Sequence, residues 1–139
     1  MLKPLAALAL LLLCAPAFAG ECEANFKKSG NPIVMTTYTS AVTVPGIGTR
    51  DALAQMRGIL VDERMDVMAE DAEQGTLLVE ERQEGAKRPI PTTINVSEVA
   101  SGTRVEMSVK MERGVFAKVE QMKPYMCALL AKVKGGKEG

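Results

Sequence analysis

The chain has 139 residues, with 17 basic and 17 acidic side chains, no histidine and no tryptophan. Its basic residues, such as Arg50, Arg57, Arg82, Lys87, Arg88 and Arg113, are interspersed with acids, so the clustered charge that grips a phosphate backbone is missing and nucleic acid is not an expected partner. Without histidine the commonest general base and metal ligand are also gone, and no motif in the chain is tied to a particular chemistry, so neither catalytic residues nor a cofactor are expected.

Residues Met1 to Ala19 have the form of a secretory signal peptide. Lys3 supplies the positive start, Leu5 to Leu13 the apolar run, and Ala17-Phe18-Ala19 the small-x-small cleavage pattern. The apolar run falls short of the roughly 20 residues needed to span a bilayer. The alternative is a lipoprotein anchored through Cys14, but Leu13 is too large for the residue before a lipidated cysteine, and ordinary cleavage after Ala19 is the expected outcome. The leader has a bacterial form, so the expected location is the periplasm. Removing Lys3 from the 17 basic residues leaves 16 against 17 acids, a net charge near −1. The span 20–133 suits one compact domain, followed by a flexible tail over 134–139.

Cys14 leaves with the leader, which leaves Cys22 and Cys127 near the two ends of the mature chain. In an oxidising compartment such a pair reads as a structural bridge, and no C-x-x-C spacing suggests redox catalysis. Closing a loop of about 100 residues stabilises a fold by roughly 4–5 kcal/mol on the chain-entropy model.

From Pro32 to Val44 the chain is rich in β-branched residues, with Val34, Tyr38, Val42 and Val44 at even spacing on one side of a long strand. Pro45-Gly46-Ile47-Gly48 turns the chain, and Thr49 is placed to cap a helix with Asp51 in its first turn. Ala52, Leu53, Met56, Ile59 and Leu60 form its apolar stripe, which ends near Val61 or Asp62. Period two follows. Met65, Val67 and Ala69 share a face, Glu70 to Gly75 turn the chain with Gly75 suited to a positive φ, and Thr76 to Arg82 return. After the loop Gln83 to Pro89, Ile90, Thr92, Ile94 and Val96 pair in a second hairpin with Val105, Met107, Val109 and Met111, while Arg104, Glu106, Ser108 and Lys110 face solvent. Phe116, Val119, Met122, Met126, Leu129, Leu130 and Val133 then recur at helical spacing. Pro124 interrupts that helix, and the cost of an interior proline favours a break just before it.

The predicted fold is therefore α+β in the order β-α-β-β-β-β-α, an antiparallel sheet with one face covered by helices. This order, with turns such as Asp71-Ala72-Glu73-Gln74-Gly75-Thr76 and Ser101-Gly102-Thr103-Arg104-Val105, resembles the helix-grip or TBP-like envelope domains, including those of the outer-membrane assembly lipoprotein BamC. The resemblance spans Ile33 to Val133 and implies a non-catalytic accessory or scaffold module.

Eight methionines remain after the leader, and Met65 with Met68, Met107 with Met111, or Met122 with Met126 are candidates for a copper(I) site, against the plainer expectation that they fill an aromatic-poor core. Adjacent acids such as Asp62-Glu63 and Glu80-Glu81 point to opposite faces and read as solvated surface, which leaves a small hydrolase without a convergent site. Asn95-Val96-Ser97 matches a glycosylation sequon but lies inside a strand. The function expected is that of a non-catalytic periplasmic binding module for an envelope protein partner or a small apolar molecule, with Tyr38, Met107, Phe116, Tyr125 and Met126 lining a groove between sheet and C-terminal helix. Intact mass of the protein purified from its native envelope should give a chain that begins at Gly20 and carries no acyl group; an acylated Cys14 terminus would reverse the assignment.

Overall fold

The computed structural model describes residues 20–81, 90–115 and 117–136. The leader, the loop Gln83 to Pro89 and Phe116 therefore lie outside the described residues, as do Arg82 and positions 137–139.

Short helix α1 (Glu21–Asn25) leads into strand β1 (Lys27–Asn31), which turns back into β2 (Met35–Val44). Helix α2 (Thr49–Asp62) follows, then strands β3 (Met65–Asp71), β4 (Thr76–Glu81), β5 (Ile90–Val99) and β6 (Gly102–Glu112), and finally helix α3 (Val119–Leu130). The expected β-α-β-β-β-β-α order is present from β2 to α3, and α1 and β1 precede it. All six strands form one antiparallel sheet in the order β1-β2-β6-β5-β4-β3.

One row of register pairs crosses the whole sheet, from Lys28 through Tyr38, Val109, Thr92 and Val79 to Val67. The next inner row runs from Ser40 through Met107 and Ile94 to Leu77. Between the exposed Lys28 and the partly buried Val67 at the two edges, these side chains are buried on the face that α2 and α3 cover, α2 against β3, β4 and β5 and α3 against β2 and β6. The outer face carries Thr37, Ser108 and Thr93 in the alternating positions, as a sheet covered on one side requires.

Four local expectations are corrected. Val34 is exposed in the β1–β2 turn, because Asn31 Oδ1 accepts the backbone N–H groups of Ile33 and Val34 and starts β2 only at Met35. Ala69 is exposed, because the register slips between Val67 and Ala69 and makes Met68 a bulge; the slip swings Glu70 to the covered side, where Arg57 of α2 meets it at 3.2 Å. Thr49 is the first helical residue instead of the cap, a position that Gly48 takes without a side-chain hydrogen bond. Helix α3 runs through Pro124 without a break. Proline forfeits a bond to the Glu120 carbonyl, but Pro124 lies on the exposed side, where water can take that oxygen, and burial of Met122, Met126, Leu129 and Leu130 outweighs the loss.

Gly75 has φ +72, and a Cβ there would lie 2.5 Å from the Val96 carbonyl, so the turn before β4 admits only glycine at low cost. The expected loose tail does not begin at Lys134. The Gln55 side chain receives the Lys134 N–H at 2.7 Å and donates to its carbonyl at 2.9 Å, and a Cβ on Gly136 would collide with the Gly46 carbonyl. Two glycines let residues 134–136 lie against the Pro45-Gly46 turn.

Cys22 and Cys127 are joined, with Cα atoms 5.6 Å apart and a separation of 105 positions along the chain. The bridge fastens α1 to α3. Cys127→Ser is expected to lower stability by about 2–5 kcal/mol, read as a lower unfolding midpoint in urea with the folded far-UV spectrum retained; an unchanged midpoint would show that the bridge constrains nothing.

Candidate functional site

Three of the five residues expected to line a groove are closed into the core. Tyr38, Met107 and Met126 have no exposed surface, and the Tyr38 hydroxyl donates to the Ala117 carbonyl at 2.6 Å, which ties the start of α3 down onto β2. Phe26 stacks obliquely on Tyr38, with ring centroids 6.2 Å apart. Phe116 is outside the described residues. Among the described methionines, Met56, Met65, Met107, Met111, Met122 and Met126 are buried core residues, and Met35 and Met68 are exposed. Slender, flexible side chains have filled the space under the helix. Among the described residues no group of three or more Cys, Asp or Glu is placed to hold a metal ion.

Tyr125 is half-buried, and it faces an acidic corner where the end of α2 meets the end of β4. Burial, with the Glu81 and Glu63 carboxylates adding to it, pushes the phenol up to about 12. Burial also raises the Glu81 carboxyl, with Glu63 contributing. Lys132 approaches Glu63 at 3.3 Å and partly offsets the repulsion.

A cavity lies at the C-terminal end of α3. It has a volume of about 400 Å³ and is bounded by Glu21 to Glu23 of α1, Val42 to Pro45 at the end of β2, and Cys127 to Gly135 at the end of α3 and beyond. Each wall has a local cause. Strand β1 pairs with β2 only from Met35 to Thr39, so no strand covers the β2 edge after Thr39. The polypeptide instead folds into α1, whose Asn25 side chain donates to the Ala41 carbonyl at 3.0 Å, and whose Cys22 carbonyl accepts a hydrogen bond from Ser40. The disulfide holds this short helix at the distance that α3 dictates. The far lip is Lys134, clamped by Gln55.

The walls are apolar, with Val42, Val44, Pro45, Leu130 and Val133 beside the disulfide, and the rim carries Glu21, Glu23 and Lys134. Such walls offer desolvation and shape to an apolar ligand. This volume falls in the range of small-molecule sites. The cavity was hidden from sequence reading because its walls come from three stretches separated by 18 to more than 80 positions; the single available signal was the cysteine pair, which marked where α1 and α3 meet.

No family model matches the chain, and neither does any curated protein. The chain is similar in fold to EF2215, a conserved protein of unknown function from Enterococcus faecalis, with a TM-score of 0.52 over 83% of this chain and 78% of that one at 5% identity. A second solved structure, CalU16 from Micromonospora echinospora, aligns over 73% of this chain and 74% of its own at 12% identity with a TM-score of 0.43, too low to carry an argument. The likeness to EF2215 concerns the α+β fold alone.

The acidic corner gives a pH signature. The folded Glu81 carboxyl lies above its ordinary 4.5, so its stabilising contribution is present at lower pH and is lost as pH rises through the folded value. Glu81→Gln should therefore match the wild-type melting temperature below pH 4.5 and exceed it at neutral pH, measured by calorimetry across that range. A neutral-pH melting temperature below that of the wild type would show that the charged form is favoured.

Proposed function

We propose that this chain is a non-catalytic binding domain of the bacterial envelope, exported to the periplasm by Met1 to Ala19, whose cavity over the disulfide takes a small apolar molecule. The cavity of about 400 Å³ with apolar walls carries this reading. Apolar transfer would supply the affinity, at about 25 cal/mol for each Å² removed from water, while Glu21, Glu23 and Lys134 would keep the polar end of the ligand at the rim. The disulfide is compatible with an oxidising compartment, and it pre-forms the site by fixing one wall against another before any ligand arrives. The resemblance of the element order to helix-grip envelope domains supports an accessory role. The closed core around Tyr38 and Met107 favours the end of α3 over its beginning as the place of binding.

Native mass spectrometry of protein purified without detergent, with thermal shifts against fatty acids and other small apolar molecules, tests the proposal. At least one compound should raise the melting temperature, and Ala131→Trp, which fills the cavity from an exposed lining position, should abolish that rise without lowering the melting temperature of the free protein. Ligand shifts that persist in Ala131→Trp, or no shift with any compound, would overturn it.

A further inference from the structure

The strongest exposed apolar patch lies far from the cavity, at the tip of the β1–β2 hairpin. Of the six large hydrophobic side chains that stand exposed among the described residues, four cluster there, namely Ile33, Val34, Met35 and Val115. Ile33 and Val34 are the most exposed, at 72% and 70%. Val115 belongs to the same patch because the β6 turn is tied to the hairpin, with the Gly114 N–H donating to the Pro32 carbonyl at 3.2 Å. Single exposed apolar residues need no explanation, but consecutive ones on a protruding turn do. The Asn31 side chain takes the N–H groups of both Ile33 and Val34 and holds the turn in a shape that presents them outward.

The charge around this tip is positive. Arg113 follows Glu112, the register partner of Met35, and Lys110 pairs with Thr37 two positions further in. Lys118 is exposed just before α3, and Glu112 is the acid between Met111 and Arg113. The acids Asp66, Glu70, Asp71 and Glu73 belong to β3 and its turn, which the strand order places at the opposite edge of the sheet. The acids of β3 and its turn thus lie across the sheet from Lys110 and Arg113.

We propose that the hairpin tip docks on an anionic lipid bilayer, with Ile33 and Val34 entering the interfacial layer and Lys110 and Arg113 meeting the headgroups. An apolar protrusion ringed by basic side chains is complementary to a deformable, negatively charged interface. A protein partner would instead need a preformed pocket for a convex turn. The polarity of the sheet would orient the molecule, with the β3 edge turned away from the surface.

Co-sedimentation of the full protein with vesicles of mixed phosphatidylglycerol and phosphatidylcholine, against pure phosphatidylcholine, provides the test. Binding is expected only to the anionic vesicles and should weaken with added salt. Ile33→Ser combined with Val34→Ser should abolish it, and Lys110→Ala and Arg113→Ala should each weaken it about fivefold. The chain has no tryptophan, so Ile33→Trp supplies a single indole, excited apart from the tyrosines, whose emission should shift to the blue on binding. Val61→Ser, which removes an exposed valine on α2, and Ala131→Trp at the cavity should leave vesicle binding unchanged. Melting temperatures equal to wild type confirm that the exposed-tip variants fold. No binding to anionic vesicles, or binding that survives the double serine substitution, would overturn the proposal.

Discussion

Six strands set the problem that the rest of this fold answers. At about 4.8 Å between strands the sheet is roughly 24 Å wide, and two helices lying side by side on it cover roughly 20 Å. Helix α2 is placed over β3, β4 and β5, and α3 over β2 and β6. The edge at β1 and the end of β2 are then left short of cover. Lys28 sits 6.0 Å over the Tyr38 ring and shields the apolar row at the first place, and α1 is drawn in over the second. A five-residue helix has too little surface to stay there by packing, which is why its position depends on a covalent tie to α3 and on the Asn25 and Ser40 hydrogen bonds. The cavity is what remains where that partial cover meets the sheet.

The same shortage explains how the two ends of the chain come to share a site. Residues Cys22 and Lys134 belong to opposite termini of the described chain, and both border the cavity. The N-terminal side is positioned by α3 through the disulfide, the C-terminal side by α2 through Gln55. Each helix on the covered face thus holds one lip.

Much of the frame was legible because burial leaves a period. Val105, Met107, Val109 and Met111 alternate with polar residues and are buried as expected, Gly75 takes the positive φ expected of it, and the cysteines pair. What escaped was structure without an apolar period. Strand β1 reads Lys27-Lys28-Ser29-Gly30-Asn31, exposed along its whole length, because an edge strand is held by backbone pairing to β2 and asks nothing of its side chains. The bulge at Met68 escaped because a slip of one residue leaves alternation intact on both sides of it. The candidate site escaped for a third reason. Its residues follow no local pattern, and the methionines that suggested loose packing near Tyr38 are the side chains best able to remove it.

The bridge also has a consequence for biogenesis. From Gly20 onward the chain holds two cysteines, so only one intramolecular pairing exists. Cys22 emerges from synthesis first and waits through 105 positions for a partner near the end of α3. Nothing in that interval can capture it wrongly, and no shuffling step is required. An oxidant is sufficient, and an isomerase has no substrate. Because α3 follows every strand in the described chain, the bond can close only after all six strands have been made.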